Sequence, residues 1–216
     1  MPLILTNFYG DPNIGIYGFA TDEYCLLGFG GKIAKRMRAL KVPVKVCKAM
    51  NTSLVGMFCA GNSSGILVPK AIGEHETSSI EKAGDVLIID SLYTALGNLV
   101  LMNAKGIVIS PFLRRHRKDM ADFFGIPCEI STIAGIRVVG SVAIANSKGC
   151  LVHPRIREKE KRIVEKTLGV PANVCTVNFG SPFLRSGIIA NSSGLAVSDQ
   201  SSGIETGKIN EGLGFV

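Results

Sequence analysis

The residues that could carry out chemistry are few, and their spacing argues against catalysis. Residues 28–32 read Gly-Phe-Gly-Gly-Lys, but they lack the first glycine and the closing Ser or Thr of a phosphate-binding P-loop. Cys150 and His153 are three residues apart in a predicted strand, so their side chains point to opposite faces and do not form a dyad or a shared metal site. We therefore predict no catalytic residue, no metal, no cofactor and no small-molecule substrate.

The cysteines and the apolar segments indicate a cytoplasmic protein without a membrane anchor. No Cys-x-x-Cys occurs, and most cysteines lie in apolar, strand-like runs, which favours reduced thiols in the core. No apolar run approaches the roughly 18 residues of a membrane-spanning helix. The N-terminus has no basic start followed by a long apolar block, so we expect no signal peptide.

The charge is basic and unevenly distributed. The chain has 216 residues, with 24 Lys and Arg against 17 Asp and Glu, and its apolar fraction of 46% is sufficient for a folded core. The cations concentrate on predicted helices, and this basic rim includes Lys32, Lys35, Arg36, Arg38, Arg114 and Arg115. Two interpretations stay open: a solvated helical surface, or attraction to a polyanion such as RNA.

An internal repeat organises the whole chain. Asn-x-x-Gly between two apolar runs occurs at Asn62, Asn103, Asn146 and Asn191, and a degenerate copy has Asp22 in place of Asn. The period drifts from 40 to 45 residues along the chain. Asn and Gly tolerate left-handed backbone, so each copy predicts a β-hairpin turn.

Each copy predicts a strand–strand–helix–strand unit. Helix-favouring stretches follow the hairpins at 32–40, 74–83, 114–124 and 156–168, and third strands follow at 44–47, 86–89, 128–131 and 174–177. The fifth copy lacks its third strand, which the N-terminal residues 2–10 resemble, and Met1 with Pro2 would restore a Gly–apolar–Pro junction. We expect a single domain, 1–216, closed into a pseudo-fivefold ring with sheets inside and helices outside.

Several segments resemble the translation initiation factor 6 family, in its archaeal branch. They are Gly-Asn-Ser-Ser-Gly-Ile-Leu-Val-Pro at 61–69, Ala-Leu-Gly-Asn at 95–98, Gly-Cys-Leu-Val-His-Pro at 149–154 and Thr-Val-Asn-Phe-Gly-Ser at 176–181. The resemblance implies the pentein fold, an α/β propeller of five ββαβ repeats. It also implies a non-enzymatic role: binding the large ribosomal subunit on its intersubunit face, which prevents joining of the small subunit, and taking part in large-subunit biogenesis.

The resemblance also implies where the partner binds. The family contacts a ribosomal protein beside the sarcin–ricin loop and lies near rRNA, and we expect the junctions between repeats to form the contact face of a monomer. The candidate residues are Gly15, Gly56, Met57, Gly97, Asn98, Gly140, Ser141, Val142, Val177, Asn178, Phe179 and Ser181, with Asn98 and Val177 as the leading contacts. Alternatively, the junction glycines only permit close packing near the axis.

Two other functions remain as alternatives. The pentein fold also hosts guanidino-group-modifying enzymes of the deiminase and amidinotransferase type, which use a Cys nucleophile with His and acidic partners around the axis. The sequence shows no such constellation. A plain RNA-binding toroid is the other alternative, although few aromatic residues interleave the basic clusters.

Overall fold

Five three-stranded sheets make up the β-structure of the computed structural model, which describes residues 3–216. In each sheet an antiparallel hairpin is extended by a third strand parallel to its second strand. In chain order, the sheets contain β2 (Gly18–Ala20), β3 (Cys25–Leu27) and β4 (Val44–Val46); β5 (Ala60–Asn62), β6 (Gly65–Pro69) and β7 (Val86–Ile89); β8 (Val100–Met102), β9 (Ile107–Ile109) and β10 (Cys128–Ile130); β11 (Ala143–Ala145), β12 (Cys150–Val152) and β13 (Ala172–Val174); and β14 (Ile188–Ala190), β15 (Leu195–Ser198) and β1 (Leu3–Thr6).

The fifth sheet takes its third strand from the N-terminus. β1 pairs in parallel with β15, with Leu3 opposite Leu195 and Thr6 opposite Ser198. This pairing confirms that the N-terminal strand completes the last repeat. The predicted Gly–apolar–Pro junction involves Met1 and Pro2, which lie outside the described residues.

One main helix follows the hairpin of each repeat, as predicted. These helices are α1 (Gly31–Met37), α3 (Glu74–Ile80), α5 (Arg117–Phe124), α6 (Glu158–Leu168) and α7 (Gly203–Gly212). The predicted helix at 32–40 ends as a 3₁₀ turn at Arg38–Leu40, and the one at 114–124 begins within a 3₁₀ segment at Pro111–His116. Gly125 and Gly169 cap α5 and α6 in the left-handed conformation, which glycine adopts without a steric penalty.

A second set of short helical segments lies before the first strand of four repeats. They are 3₁₀ Ile14–Ile16, α2 (Val55–Phe58), α4 (Leu96–Leu99) and 3₁₀ Leu184–Gly187. In the remaining repeat, residues 139–141 form a turn at the equivalent place. These segments are the inter-repeat junctions of the predicted contact face.

Two details of the predicted register are wrong. The third strand of the fourth repeat is Ala172–Val174 rather than 174–177, because Cys150 N–H donates to Pro171 O (2.9 Å) and pairing starts directly after the proline. In the degenerate first hairpin, Thr21 rather than Asp22 takes the place of the turn asparagine. The Thr21 hydroxyl accepts from the backbone N–H groups of Glu23 and Tyr24 (3.2 and 3.1 Å).

The core lies between neighbouring repeats rather than within each one. One cluster, for example, packs Leu67 and Ile89 of the second repeat against Leu96, Ile107 and Met120 of the third. The middle strands β3, β6, β9 and β12 are fully buried on both faces, as expected for strands with parallel neighbours. Each repeat therefore depends on its neighbours to bury its apolar face.

The six cysteines belong to this core. All are free and buried, as predicted: Cys25, Cys47, Cys59, Cys128, Cys150 and Cys175. Burial raises the pKa of the Cys25 and Cys47 thiols to about 12 and that of Cys128 to about 11. At neutral pH these groups are protonated and unreactive. Among residues 3–216, no helix is both long and apolar enough to cross a membrane.

Candidate partner-binding face and axial cavities

The hairpin turns of the five repeats meet in a ring of buried hydrogen bonds, which we call the asparagine ring (Thr21, Asn62, Asn103, Asn146 and Asn191). Asn146 illustrates its chemistry. Its Oδ1 accepts from the backbone N–H groups of Lys148 and Gly149 (both 2.9 Å), and its Nδ2 donates to the carbonyls of Asn191 and Leu213 (3.2 and 3.0 Å). One side chain thus closes its own turn, binds the next turn and caps α7.

The asparagine ring is continuous. Asn62 donates to Asn103 O (3.1 Å), Asn103 to Asn146 O (3.0 Å) and Asn191 to Thr21 O (2.9 Å). The Tyr24 hydroxyl then donates to Asn62 O (2.8 Å), so the hydrogen bonds return to their starting repeat. Burial raises the pKa of Tyr24 far above its usual value, which keeps it a neutral donor. All four asparagines are buried and engaged, so this end of the molecule has a structural role.

At the junctions the repeats meet through bare backbone, in what we call the glycine ring (Gly15, Gly56, Gly97 and Gly140). A Cβ on Gly56 would overlap Gly15 O, one on Gly97 would overlap Gly56 O, and one on Gly140 would overlap Gly97 O. A Cβ on Gly15 would in turn overlap the carbonyl of Arg185 in the fifth repeat. Only glycine permits these approaches, so part of the glycine signal in the sequence has a packing cause.

A cavity of about 260 Å³, the junction cavity, opens at the glycine ring. Its lining includes five predicted contact residues, namely Gly15, Gly56, Asn98, Ser141 and Ser181. Asn98 and Ser141 are half-buried, and within residues 3–216 their side chains make no hydrogen bond. The structure therefore brings predicted residues from five repeats to one opening, with polar groups free to bind.

The fifth predicted junction is in the wrong register. Val177 and Ser181 exchange backbone hydrogen bonds (2.9 and 2.7 Å) across a tight turn, equivalent to the bridges Phe8–Asp11, Ala49–Thr52 and Ile133–Ile136. We call these four turns, together with residues 90–93 of the third repeat, the tip loops. The true fifth junction is Leu184–Gly187. Aligning it with the other repeats places Arg185 where they carry glycine.

The remaining predicted contacts differ in exposure. Val142 and Val177 are fully buried, so they shape the face without touching a partner. Met57 and Asn178 are half-buried, and Phe179 is 80% exposed. Tyr9 and Leu92 are exposed on two other tip loops, at 82% and 98%. Exposed apolar groups of this size are typical of interaction sites.

Buried carboxylates hold the tip loops in place. The Glu205 carboxylate accepts from the N–H groups of Phe179 and Gly180 (3.2 and 2.8 Å) and from the Thr176 hydroxyl (2.8 Å). Burial alone would raise the pKa of Glu205, but these hydrogen bonds outweigh it and hold the pKa below its usual range. Glu160 binds the loop at Ala134 and Gly135 in the same way. These two loops are therefore held by hydrogen bonds within the protein itself.

The basic rim is solvent-exposed, as the sequence predicts. Lys32, Lys35, Arg36, Arg38, Arg114 and Arg115 are all exposed, and none forms an ion pair within the described chain. From Tyr24 to Gly73 the sequence has no acidic residue, so the charge around α1 is uncompensated. Lys35 and Arg38 line one shallow groove, and Arg114 and Arg115 line another.

The sequence did not predict five residues of the junction cavity: Asn13, Ile16, Phe183, Arg185 and Ser186. The alignment of the repeats could have identified Arg185, because it places this residue at the position of the ring glycines. None of the residues that line the cavity is Cys, His, Asp or Glu, and residues 3–216 contain no cluster suited to a metal ion. The described chain is therefore a repeat protein with a preformed surface of polar and apolar groups at its junction end.

The family assignment follows from sequence comparison. The eIF-6 family profile matches residues 3–212, and the chain belongs to this family. It is 38% identical to translation initiation factor 6 of Thermococcus onnurineus and 35% identical to that of Pyrococcus horikoshii, each over 97% of both chains. Translation initiation factor 6 of Methanococcus vannielii is 35% identical over 99% of both chains. The chain is thus a translation initiation factor of an archaeal type, not an enzyme.

Proposed function

We propose that residues 1–216 form one pentein domain, an α/β propeller closed by the N-terminal strand. Three observations support the closed ring: β1 completes the fifth sheet, the asparagine ring returns to its starting repeat, and the glycine ring continues from Gly15 to Arg185. A closed ring leaves no terminal repeat whose apolar face needs covering, so we propose a monomer.

We propose further that the junction end binds the large ribosomal subunit on its intersubunit face. The bound factor occupies the surface that the small subunit needs and so blocks association sterically. Family membership carries this proposal, and the geometry of the junction end supports it. The loops that donate backbone hydrogen bonds to Glu160 and Glu205 lose little conformational entropy on binding, which favours a tight complex. A role in large-subunit biogenesis in the cytoplasm fits the same interaction.

Two kinds of contact are expected within the complex. The exposed rings of Tyr9 and Phe179 and the free amide of Asn98 suit the ribosomal protein next to the sarcin–ricin loop. The basic rim around α1 and Arg114–Arg115 suits nearby rRNA, since each phosphate it neutralises releases counterions. We therefore expect the affinity for the subunit to fall with salt concentration.

Co-sedimentation with separated ribosomal subunits tests the proposal. The protein should pellet with large subunits only, and adding it before small subunits should reduce the yield of joined ribosomes in a gradient. Asn98→Arg should abolish both effects, whereas Arg155→Met, an exposed control, should not. Equal pelleting with both subunits, or with naked rRNA, would instead indicate a general RNA-binding toroid.

The lining of the axial cavities disfavours the enzyme alternative. A deiminase or amidinotransferase must hold a substrate guanidinium between carboxylates, but the junction cavity is lined by Arg185 and by no acidic residue. All six thiols are buried and protonated at neutral pH, so none is available as a nucleophile.

A further inference from the structure

Arg185 breaks the symmetry of the glycine ring. The other four repeats carry Gly15, Gly56, Gly97 and Gly140 at this position, where a Cβ would overlap a neighbouring carbonyl, so Arg185 alone carries a side chain there. Arg185 lines both the junction cavity and a smaller one of about 30 Å³, the inner cavity, which is enclosed by strand residues including Phe19, Ile144 and Ile188. A single long cationic side chain thus lies where the two cavities adjoin.

The guanidinium of Arg185 has few partners. Its Nη2 donates one long hydrogen bond to Cys59 O (3.5 Å), and its Cζ lies 5.9 Å from the centre of the Phe19 ring. The Nε atom is inaccessible to solvent and makes no hydrogen bond within the described chain. Burial lowers the pKa of Arg185 to about 10, so the group remains charged at neutral pH.

A shielded positive charge requires a compensating negative one, because removing an ion from water without a partner is costly. No ion pair to Arg185 occurs among residues 3–216, and no Asp or Glu lines either cavity. The junction cavity does offer additional donors, namely the free amide of Asn98 and the free hydroxyl of Ser141. Donors without acids are the typical lining of an anion site.

We propose that the axial cavities bind a small inorganic anion held by the Arg185 guanidinium. The inner cavity has room for an ion of about the size of a water molecule, such as a halide, because a single water needs at least ~10–15 Å³ of such space. The junction cavity is large enough for a tetrahedral oxyanion, which could also accept from Asn98 and Ser141. This site belongs to the free protein and does not depend on the proposed subunit binding.

Titration of the purified protein with two probes tests the site and distinguishes its occupants. Sodium bromide and sodium phosphate are each titrated at constant ionic strength against sodium gluconate, whose anion is too large for the inner cavity. We expect one saturable site by calorimetry and a rise in the thermal unfolding midpoint that saturates with the same ligand. Arg185→Met should weaken this binding at least tenfold, whereas Arg155→Met, the same change at an exposed position, should leave it unchanged.

Further variants locate the ion. Ser141→Val and Asn98→Leu keep the guanidinium; they should weaken phosphate several-fold if an oxyanion occupies the junction cavity and should spare bromide in the inner cavity. If Arg185→Met does not fold, anomalous scattering from bromide-soaked crystals provides the second measurement, with a peak expected within about 4 Å of the guanidinium, the range of a close ion pair. The proposal is overturned if neither anion saturates, or if folded Arg185→Met binds both as tightly as the parent protein.

Discussion

Neighbouring repeats contact each other in different ways at the hairpin end and at the junction end of the molecule. At the hairpin end, polar side chains join neighbouring repeats, and each asparagine satisfies both its own turn and the next. At the junction end, the backbones of neighbouring repeats approach each other directly at the glycine ring, and the side chains of Asn98 and Ser141 make no hydrogen bond within the described residues. The two ends therefore have different roles. The hydrogen-bonded side chains of the hairpin end hold the repeats together, and the free polar groups of the junction end are available to a ligand or partner.

The largest expected effect is at the hairpin end. Asn146→Ala removes four hydrogen bonds and leaves buried backbone groups unpaired, which at about 1 kcal/mol per bond should lower the free energy of unfolding by about 4 kcal/mol. Urea denaturation measures this loss. Asn173→Ala, on an exposed strand position without a side-chain hydrogen bond, is the matched control and should change stability by less than about 0.5 kcal/mol. Equal losses would contradict the asparagine ring.

Substitution of a glycine in the glycine ring should lower the free energy of unfolding almost as much. Gly97→Ala forces a methyl group into the carbonyl of Gly56, and overpacking of this kind should lower the free energy of unfolding by about 3 kcal/mol. Gly207→Ala, within α7 and with open space around its Cβ, should instead stabilise by about 0.5–1 kcal/mol. A tolerated Gly97→Ala would show that the junction backbones are not in contact.

A smaller, pH-dependent effect is expected at the carboxylate that holds the Phe179 loop. Because the folded pKa of Glu205 lies below its unfolded value, its stabilisation is complete above about pH 4.5 and is lost as the pH falls through the folded pKa. Glu205→Gln should therefore cost about 1–3 kcal/mol at pH 7 and progressively less below pH 4.5. Urea midpoints between pH 3 and pH 7 measure this, and a pH-independent difference would exclude the ionised carboxylate as the cause.

The smallest effect on stability should accompany a large effect on binding. Phe179→Ser removes an exposed ring from a tip loop, so the unfolding free energy should change by less than about 0.5 kcal/mol. Large-subunit binding should nevertheless weaken at least tenfold, because aromatic anchors dominate interface energies. Sedimentation and urea denaturation of the same preparation provide the comparison. A matched loss of stability and binding would place Phe179 in the fold rather than in the interface.

Several features of the candidate site were predictable and others were not. Asn98, Ser141, Gly15 and Gly56 were expected from the resemblance of the junctions to the family's pattern, and the structure places them around one cavity. Val177 was expected to be a leading contact because residues 176–181 carry a family-like motif. These residues instead form a tip loop, in which Val177 is buried. Arg185 was missed because the family-like motif assigned the fifth junction to residues 177–181, whereas the junction that aligns with the other repeats is Leu184–Gly187.

The sequence by itself determined the five strand–strand–helix–strand units, the completion of the last by the first strand and the reduced state of the cysteines. The units follow from hydrophobic periodicity, turn chemistry and helix stops, which act within about 45 residues of chain, and the completion of the last unit follows from the repeat that lacks its third strand. Only the tertiary structure decided which groups are satisfied and which remain free. Asn146 and Asn98 are the same residue type, but four backbone groups from two repeats surround Asn146 while Asn98 faces an open cavity. That difference arises from contacts between units far apart in sequence.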